Sequence, residues 1–297
     1  MYDPTLPDHH PDCPQHIDHA LRCRCDDLEA EHNQTGGQGY PPAPDKTPVT
    51  TPWNYPRALV YRPSTTAAKL GAVVVGSVRA DLIEDSCHGC SHFVKDRKGG
   101  RSCYAWRGYS LMAYRAMAKA IAKRQAAAGN NETPPAYTIS GAIAARRWNA
   151  RYLRLTMIGD ASIATDHELA DVKAQADAAG LGVLGYSAHW ATRGRDRPIM
   201  REMLLASTQT DGATRRAVAR GWAVAQTVDA QRFADAMPAG HITTQGGQRL
   251  KLCDHQVAVL DVTHPPTCNA CGLCSVPNMH ASGYDGVAFA EHGPSSH

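Results

Sequence analysis

Residues 153–186 read LRLTMIGDASIATDHELADVKAQADAAGLGVLGY, and this stretch decides the fold. Leu153–Ile158 is a short apolar run with the character of a strand, and it stops at Gly159-Asp160. Thr165 then offers a hydroxyl cap to a helix that runs through DHELADVKAQADAA and ends at Gly180. Val183–Tyr186 is the next strand. Strand, helix and strand joined in this way call for parallel pairing, because a connection of about a dozen residues or more can cross back over a sheet face.

The same alternation extends in both directions. Gly71–Val78 is a β-branched strand, and in Tyr109–Ala128 the residues Leu111, Tyr114, Met117, Ala118 and Ile121 recur at helical spacing. Met203–Ser207 and Trp222–Thr227 are strands around a helix at Gly212–Arg220, and Arg249–Leu252, Val257–Val262 and Gly286–Ala290 read as the last strands. The expectation is an α/β fold, first of all a (β/α)-barrel of TIM type, complete or partial, with an open doubly wound sheet as the alternative. No Gly-x-Gly-x-x-Gly follows a strand and no Walker Gly-Lys-Ser/Thr is present, which removes support from nucleotide-binding versions of the open sheet.

The chain has 297 residues, 43% hydrophobic and 20% charged, with a formal net charge of +3, the balance of a soluble globular protein. So mild a charge neither demands nor excludes a polyanionic partner. No apolar run reaches the roughly eighteen residues of a membrane span, and the start, Met-Tyr-Asp-Pro-Thr, lacks the pattern of a signal peptide. A cytoplasmic protein without membrane contact is expected. Residues 1–56 are rich in Pro, His, Asp, Gln and Gly and read as a poorly ordered extension. Within them Cys13, His16, His19, Cys23 and Cys25 form either a small metal knuckle or an incidental solvated run. Residues 57–297 form the expected catalytic domain, including a metal-binding segment at 253–292.

Ten cysteines in a chain of this kind point to metal rather than disulfides. Cys268, Cys271 and Cys274 are each separated by two residues, with Cys253 upstream and His292 downstream as competing fourth ligands. This spacing lets one turn gather three thiolates around a structural zinc, or around a corner of an iron–sulfur cluster. A second set, Cys87, Cys90 and Cys103, with His88 and His92 beside it, is a candidate for a second metal site. The segment between, Lys95–Arg101, is basic and suited to phosphate.

In a parallel α/β fold the sites lie at the carboxyl ends of the strands, so the residues there are the candidates for chemistry. Asp160, after a strand and a Gly, is the foremost carboxylate; the competing reading is a cap on the following turn. Asp81, His189, Trp190, Gln209, Asp211 and Gln226 occupy comparable positions, a set suited to a planar heterocycle. Arg146, Arg147, Arg151 and Arg154, with Arg193, Arg195, Arg197 and Arg201, are solvated faces or, if they lie on the site side, a rim that tracks phosphates.

Together the early Cys-x2-Cys…Cys-Tyr-Ala, the strand-Gly-Asp, the Gly-Tyr-Ser-x-His-Trp and the terminal Thr-Cys-x2-Cys-Gly-Leu-Cys…Val-Ala-Phe-x-x-His-Gly resemble phage DNA-guanine transglycosylases, distant relatives of the tRNA-guanine transglycosylases. The resemblance covers roughly residues 70–293. It implies a (β/α)8 barrel that exchanges guanine in phage DNA for a 7-deazaguanine such as preQ0, shielding the DNA from restriction. It further implies Asp160 and Asp81 as the catalytic pair, substrate contacts at His189, Gln209 and Gln226, and zinc on Cys268, Cys271, Cys274 and His292. The family's first cysteine gap is one residue rather than two, its Asp-Ser-Gly-Gly segment has no clear match, and the early cysteines have no counterpart there. Two other readings stand beside it: an iron–sulfur or radical enzyme acting on nucleic acid, and a non-catalytic zinc-stapled nucleic-acid-binding protein.

Overall fold

The computed structural model describes residues 57–63, 70–88, 108–260 and 265–290. The extension at 1–56, Cys90, Cys103 and His292 lie outside the described residues.

The strands are β1 (Leu59–Arg62), β2 (Val74–Val78), β3 (Tyr152–Arg154), β4 (Gly182–Leu184), β5 (Tyr186–Ser187), β6 (Leu205–Thr208), β7 (Val224–Val228), β8 (His241–Thr243), β9 (Arg249–Leu252) and β10 (Gly286–Ala290). They form a four-stranded sheet ordered β1-β2-β3-β4 and a six-stranded sheet ordered β5-β6-β7-β10-β9-β8. Within each sheet every pair is parallel except the outermost, β1 with β2 and β8 with β9. The fold is therefore α/β with parallel sheets, as the alternating pattern implies.

β4 and β5 are two halves of one extended run broken at Gly185. The Leu184 carbonyl accepts from Leu155 N at 2.8 Å, and the Gly185 carbonyl accepts from Leu205 N at 3.0 Å, so the run faces one sheet and then the other. A side chain at position 185 would collide with Leu204 Cδ2, which is why glycine stands at the break.

Among the described residues the strands do not close into a ring. Both ends of the order are antiparallel edge strands, and β10 inserts between β7 and β9 instead of following in sequence. A barrel needs each new strand to add at the outer edge until the last meets the first. The hairpin β8–β9 takes that outer edge instead.

The helices are α1 (Ile83–Cys87), α2 (Gly108–Ala128), α3 (Ile139–Ala144), α4 (Asp166–Ala178), α5 (Pro198–Met203), α6 (Asp211–Ala219), α7 (Ala230–Ala236), α8 (Asp254–Leu260), α9 (Cys268–Cys271) and α10 (Val276–Ala281). None among the described residues is long and apolar enough to cross a membrane. The segment read as a strand from Val257 is helix α8 as far as Leu260. Two valines favour a strand locally, but the chain must here cross from β9 to the parallel β10, and the connection between parallel neighbours favours a helix.

One face of the six-stranded sheet, with the four-stranded sheet and helices α2 to α7, builds the main core around Val74, Leu153, Leu169, Met200, Val224 and Phe233. On the other face Leu205, Ala225 and Val287 pack beneath Val276 and Met279 of α10. The last crossover thus covers a sheet face that would otherwise lie open.

Helix α4 shows how local rules become tertiary structure. Thr165 caps it by accepting from Glu168 N at 3.1 Å, and Leu169, Val172 and Ala176 line its buried stripe. Glu168 turns inward: its carboxylate accepts from Ala58 N at 3.0 Å and Leu59 N at 2.9 Å, and Asp171 pairs with Arg57 at 2.7 Å. The helix thereby pins the start of edge strand β1. Burial raises the Glu168 pKa despite the two backbone donors and the Arg57 and Arg79 charges, which pull it down.

Glu168→Ala leaves two buried donors without a partner, and thermal or urea unfolding is expected to show a loss of about 3 kcal/mol. Folding raises this pKa, so its stabilisation is complete below the unfolded value of about 4.3 and fades as pH climbs through the folded value. Wild type should therefore lose stability relative to Glu168→Gln as pH rises from about 4 to 7, which urea titrations at each pH will measure.

Candidate functional site

The chain after β3 keeps alongside β2 in the same parallel direction: Met157 N donates to Gly76 O and Val78 N donates to Ile158 O. Gly159 follows with φ 82°, and a side chain there would press on Val78. This glycine lets the chain drop Asp160 beyond the carboxyl end of the strands.

Asp160 is buried, 7% exposed, and its carboxylate is held by three donors. Oδ1 accepts from Ser162 N at 2.9 Å and Ser187 Oγ at 2.9 Å. Oδ2 accepts from Ala188 N at 2.7 Å, with the same Ser187 hydroxyl at 3.2 Å. The Ser162 bond is the capping role named as the competing reading, and the other two reach across to the end of β5. Three protons on roughly four acceptor directions leave one direction to spare.

His189 follows two residues after Ser187, and its backbone N donates to Ser187 Oγ at 3.1 Å. The ring is 6% exposed, and its Nε2 meets no partner among the described residues. Burial lowers its pKa first of all, and the charges of Arg193 and His88 lower it further; Asp160 and a hydrogen bond to the Ser86 backbone act the other way. On the β2 side, Ser86 Oγ accepts from Asp160 N at 3.4 Å and stands 3.5 Å from the buried Cys87 Sγ. Arg193 donates to the Asp85 and Ser86 carbonyls at 2.6 and 3.4 Å. Asp160, Ser187, His189, Arg193 and the Ser86-Cys87 pair are thus one constellation drawn from three strand ends. Sequence reasoning missed Ser187, and it read Arg193 as solvated charge or a phosphate rim rather than as a clamp on the Asp85 and Ser86 carbonyls. The signal for Ser187 was its place at the end of the strand that leads into His189.

The other candidates sit elsewhere. Asp81, on a short 3-10 turn after β2, is exposed and bound to Arg79, whose Nε lies 2.8 Å away; this hydrogen bond is the main cause of its lowered pKa. Gln209 is half-buried just past β6. Gln226 is fully buried inside β7 and faces α6: it accepts from Thr214 Oγ1 at 2.9 Å and donates to Asp211 Oδ1 at 2.9 Å. Asp211 also takes two bonds from Arg232 and one from Gln245 N. Gln226 and Asp211 thus join helices and loops to the sheet. Trp190 is buried and donates to Ser207 O at 3.1 Å.

Three arginines after His189 grip backbone: Arg193 as above, Arg197 on the Ser162 and Ala164 carbonyls at 2.7 and 2.5 Å, and Arg201 on Arg220 O at 3.0 Å. Arg195 alone of that run is exposed. Arg146, Arg147 and Arg151 precede β3 and lie at the amino end of the strands, opposite Asp160. Arg154 stacks on Tyr186, 4.3 Å from the ring centre.

The late cysteines share one neighbourhood. Tyr186 and the Cys274 thiol hydrogen-bond, and Cys274 is pushed up to about 12, first by burial and further by the charges of Cys253 and Cys268. Cys271 feels the same two thiols and lies 3.8 Å from Asp254, the residue after Cys253. No group of three or more His, Cys, Asp or Glu side chains among the described residues is arranged to hold a metal ion.

Comparison of the chain with protein-family models, with curated proteins and with solved structures gave no match.

A titration of the His189 ring protons by NMR should find the imidazole neutral at pH 7. Asp160→Asn removes the charge that raises its pKa and should shift it lower still, and Arg193→Gln should shift it higher.

Proposed function

We propose that the protein is a DNA-guanine transglycosylase that exchanges guanine in phage DNA for a 7-deazaguanine of the preQ0 type. The observation that carries this reading is that Asp160 and His189 both bond to Ser187 at the carboxyl end of the parallel strands, with the His189 Nε2 meeting no partner among the described residues. The Asp160 carboxylate attacks C1′ of the target deoxyguanosine, forming a C1′–O bond as the C1′–N9 bond breaks. The departing guanine takes a proton at N9 from the imidazolium form of His189, and the incoming 7-deazaguanine, attacking C1′ through its own N9, returns its N9 proton to the His189 imidazole as the carboxylate is released. Covalent holding suits an exchange, because the sugar must not meet water while the bases swap.

Proton movement falls to His189 rather than Asp81. Asp81 is exposed and its carboxylate is engaged by Arg79, whereas His189 is buried beside Ser187 and feels the Asp160 charge. A target base within a duplex would have to leave its stack for the reaction, at a cost of a few kcal/mol that a single strand avoids. The open parallel scaffold is read here as a relative of the (β/α) barrel whose final strands have been rearranged. Product DNA carrying 7-deazaguanine would resist restriction nucleases of a host, a purpose that comes from the resemblance described above.

We further propose zinc on Cys253, Cys268, Cys271 and Cys274, whose thiols share one neighbourhood and would have to draw together to hold it. Four thiolates are the donor set of a closed structural site, which supplies folding energy and no open position for chemistry. The protein's own residues around it are Tyr186, which bonds Cys274, and Asp254 beside Cys271.

A second reading, a non-catalytic zinc-stapled nucleic-acid-binding protein, draws on the donors of Asp160, all of which lie within the fold as in a structural cap.

Incubation with DNA and preQ0, followed by digestion to nucleosides and mass spectrometry, should reveal a 7-deazaguanine nucleoside. Asp160→Asn should abolish it, and His189→Gln should reduce it about a hundredfold or more. Exchange unchanged in Asp160→Asn would contradict the reading, and no exchange by the wild type would favour the second one.

Elemental analysis of the purified protein should give one zinc per chain and no colour. Cys271→Ser should lower both zinc content and melting temperature. Brown protein that contains iron would contradict the zinc assignment.

A further inference from the structure

Among the described residues the most exposed large hydrophobic side chain is Trp148, at 95%. It stands at the tip of a tight turn, Arg147–Ala150, closed by Ala150 N donating to Arg147 O at 3.0 Å. Arg147 and Arg151 flank it; both are exposed, and neither side chain has a hydrogen bond or ion pair among the described residues. Arg146 is different, since its guanidinium is spent on the Ile143 and Ala179 carbonyls at 2.8 and 3.3 Å.

The turn is held rigidly. Asn269, only 9% exposed, donates through Nδ2 to Asn149 O at 2.9 Å and accepts through Oδ1 from Arg151 N at 2.8 Å. Its own N donates to Leu70 O at 3.1 Å. Asn269 lies between Cys268 and Cys271, so the cysteine segment carries the clamp that fixes the turn. A buried amide thus holds in place a loop whose tip is an indole left 95% exposed among the described residues.

We propose that this turn is a docking point for single-stranded nucleic acid, with a base stacked on Trp148 and the neighbouring phosphates met by Arg147 and Arg151. Charge decides the partner: two unengaged guanidinium groups beside an aromatic face suit a polyanion with exposed π-surfaces, and a duplex keeps its base faces stacked away. Pre-ordering by Asn269 reduces the entropy lost on binding. The turn lies at the amino end of the strands, away from Asp160, so it grips the strand without taking part in the reaction. The inference rests on the proposed function only for the class of partner.

Fluorescence anisotropy of labelled oligothymidylate and oligouridylate, each about 20 nucleotides long, and of a duplex of equal length tests it with the full chain. Trp148→Ala should weaken binding of the single strands about tenfold, and Trp148→Phe should recover most of it. Arg147→Gln with Arg151→Gln should lower the salt dependence of log K by roughly 1.4 for two lost phosphate contacts. Oligothymidylate bound more tightly than oligouridylate identifies DNA as the source of the strand, and the reverse identifies RNA. Single-strand affinity indifferent to Trp148 overturns the proposal, whatever the exchange assay reads. So does a duplex bound as tightly and with the same dependence on Trp148. Trp148-dependent binding by a protein without exchange activity supports this proposal while ending the proposed function.

Discussion

A buried carboxylate has to be satisfied, and that requirement at Asp160 ties the carboxyl end of this fold together. Removing a charge from water costs several kcal/mol unless hydrogen bonds replace the lost hydration. Here the replacement donors come from two places: the turn just after Asp160, and Ser187 with Ala188 at the end of β5. The same Ser187 hydroxyl accepts from His189 N, and Ser86 Oγ accepts from Asp160 N. The carboxylate therefore fixes the loop after β3 against the segment that carries His189, and the Asp160 backbone N ties both to the chain after β2. Whatever chemistry occurs there, the geometry of its groups is fixed by that charge.

The other face of the six-stranded sheet is organised by the last crossover. Between β9 and β10 the chain lays α10 over an apolar sheet face and brings four cysteines into one neighbourhood. It also places Asn269 where its amide can hold the turn before β3. A metal in that neighbourhood would stabilise the underside of the sheet and the turn with it, a coupling between the cysteines and Trp148 that distance along the chain conceals.

Much of this was legible because the signals were local. Thr165, Gly180 and the spacing of Leu169, Val172 and Ala176 define α4 by capping and periodicity alone, and Arg249–Leu252 and Gly286–Ala290 are strands where the residues indicate them. Gly159 before Asp160 signalled a sharp turn, and the turn is there. What escaped the sequence was non-local. Nothing in residues 249–290 reveals that β10 enters between β7 and β9, so the expectation of sequential strand addition put a barrel, complete or partial, ahead of the open sheet. Gln226 reads as a strand-end residue, yet which sheet face it takes depends on where α6 packs, and it faces that helix. The Val257 segment illustrates tertiary override, with a crossover turning a β-branched stretch into α8. The arginines after His189 looked like free charge, and only the fold reveals the carbonyls they serve.

The central claim is that Asp160 forms a bond to the sugar. Its most direct test is covalent trapping: the protein is incubated with a guanine-containing oligonucleotide, quenched in acid, digested, and the adduct located by peptide mass spectrometry. The account predicts a DNA-derived sugar attached to the peptide that contains Asp160. An adduct on another carboxylate, or exchange of guanine with no adduct formed, would contradict it.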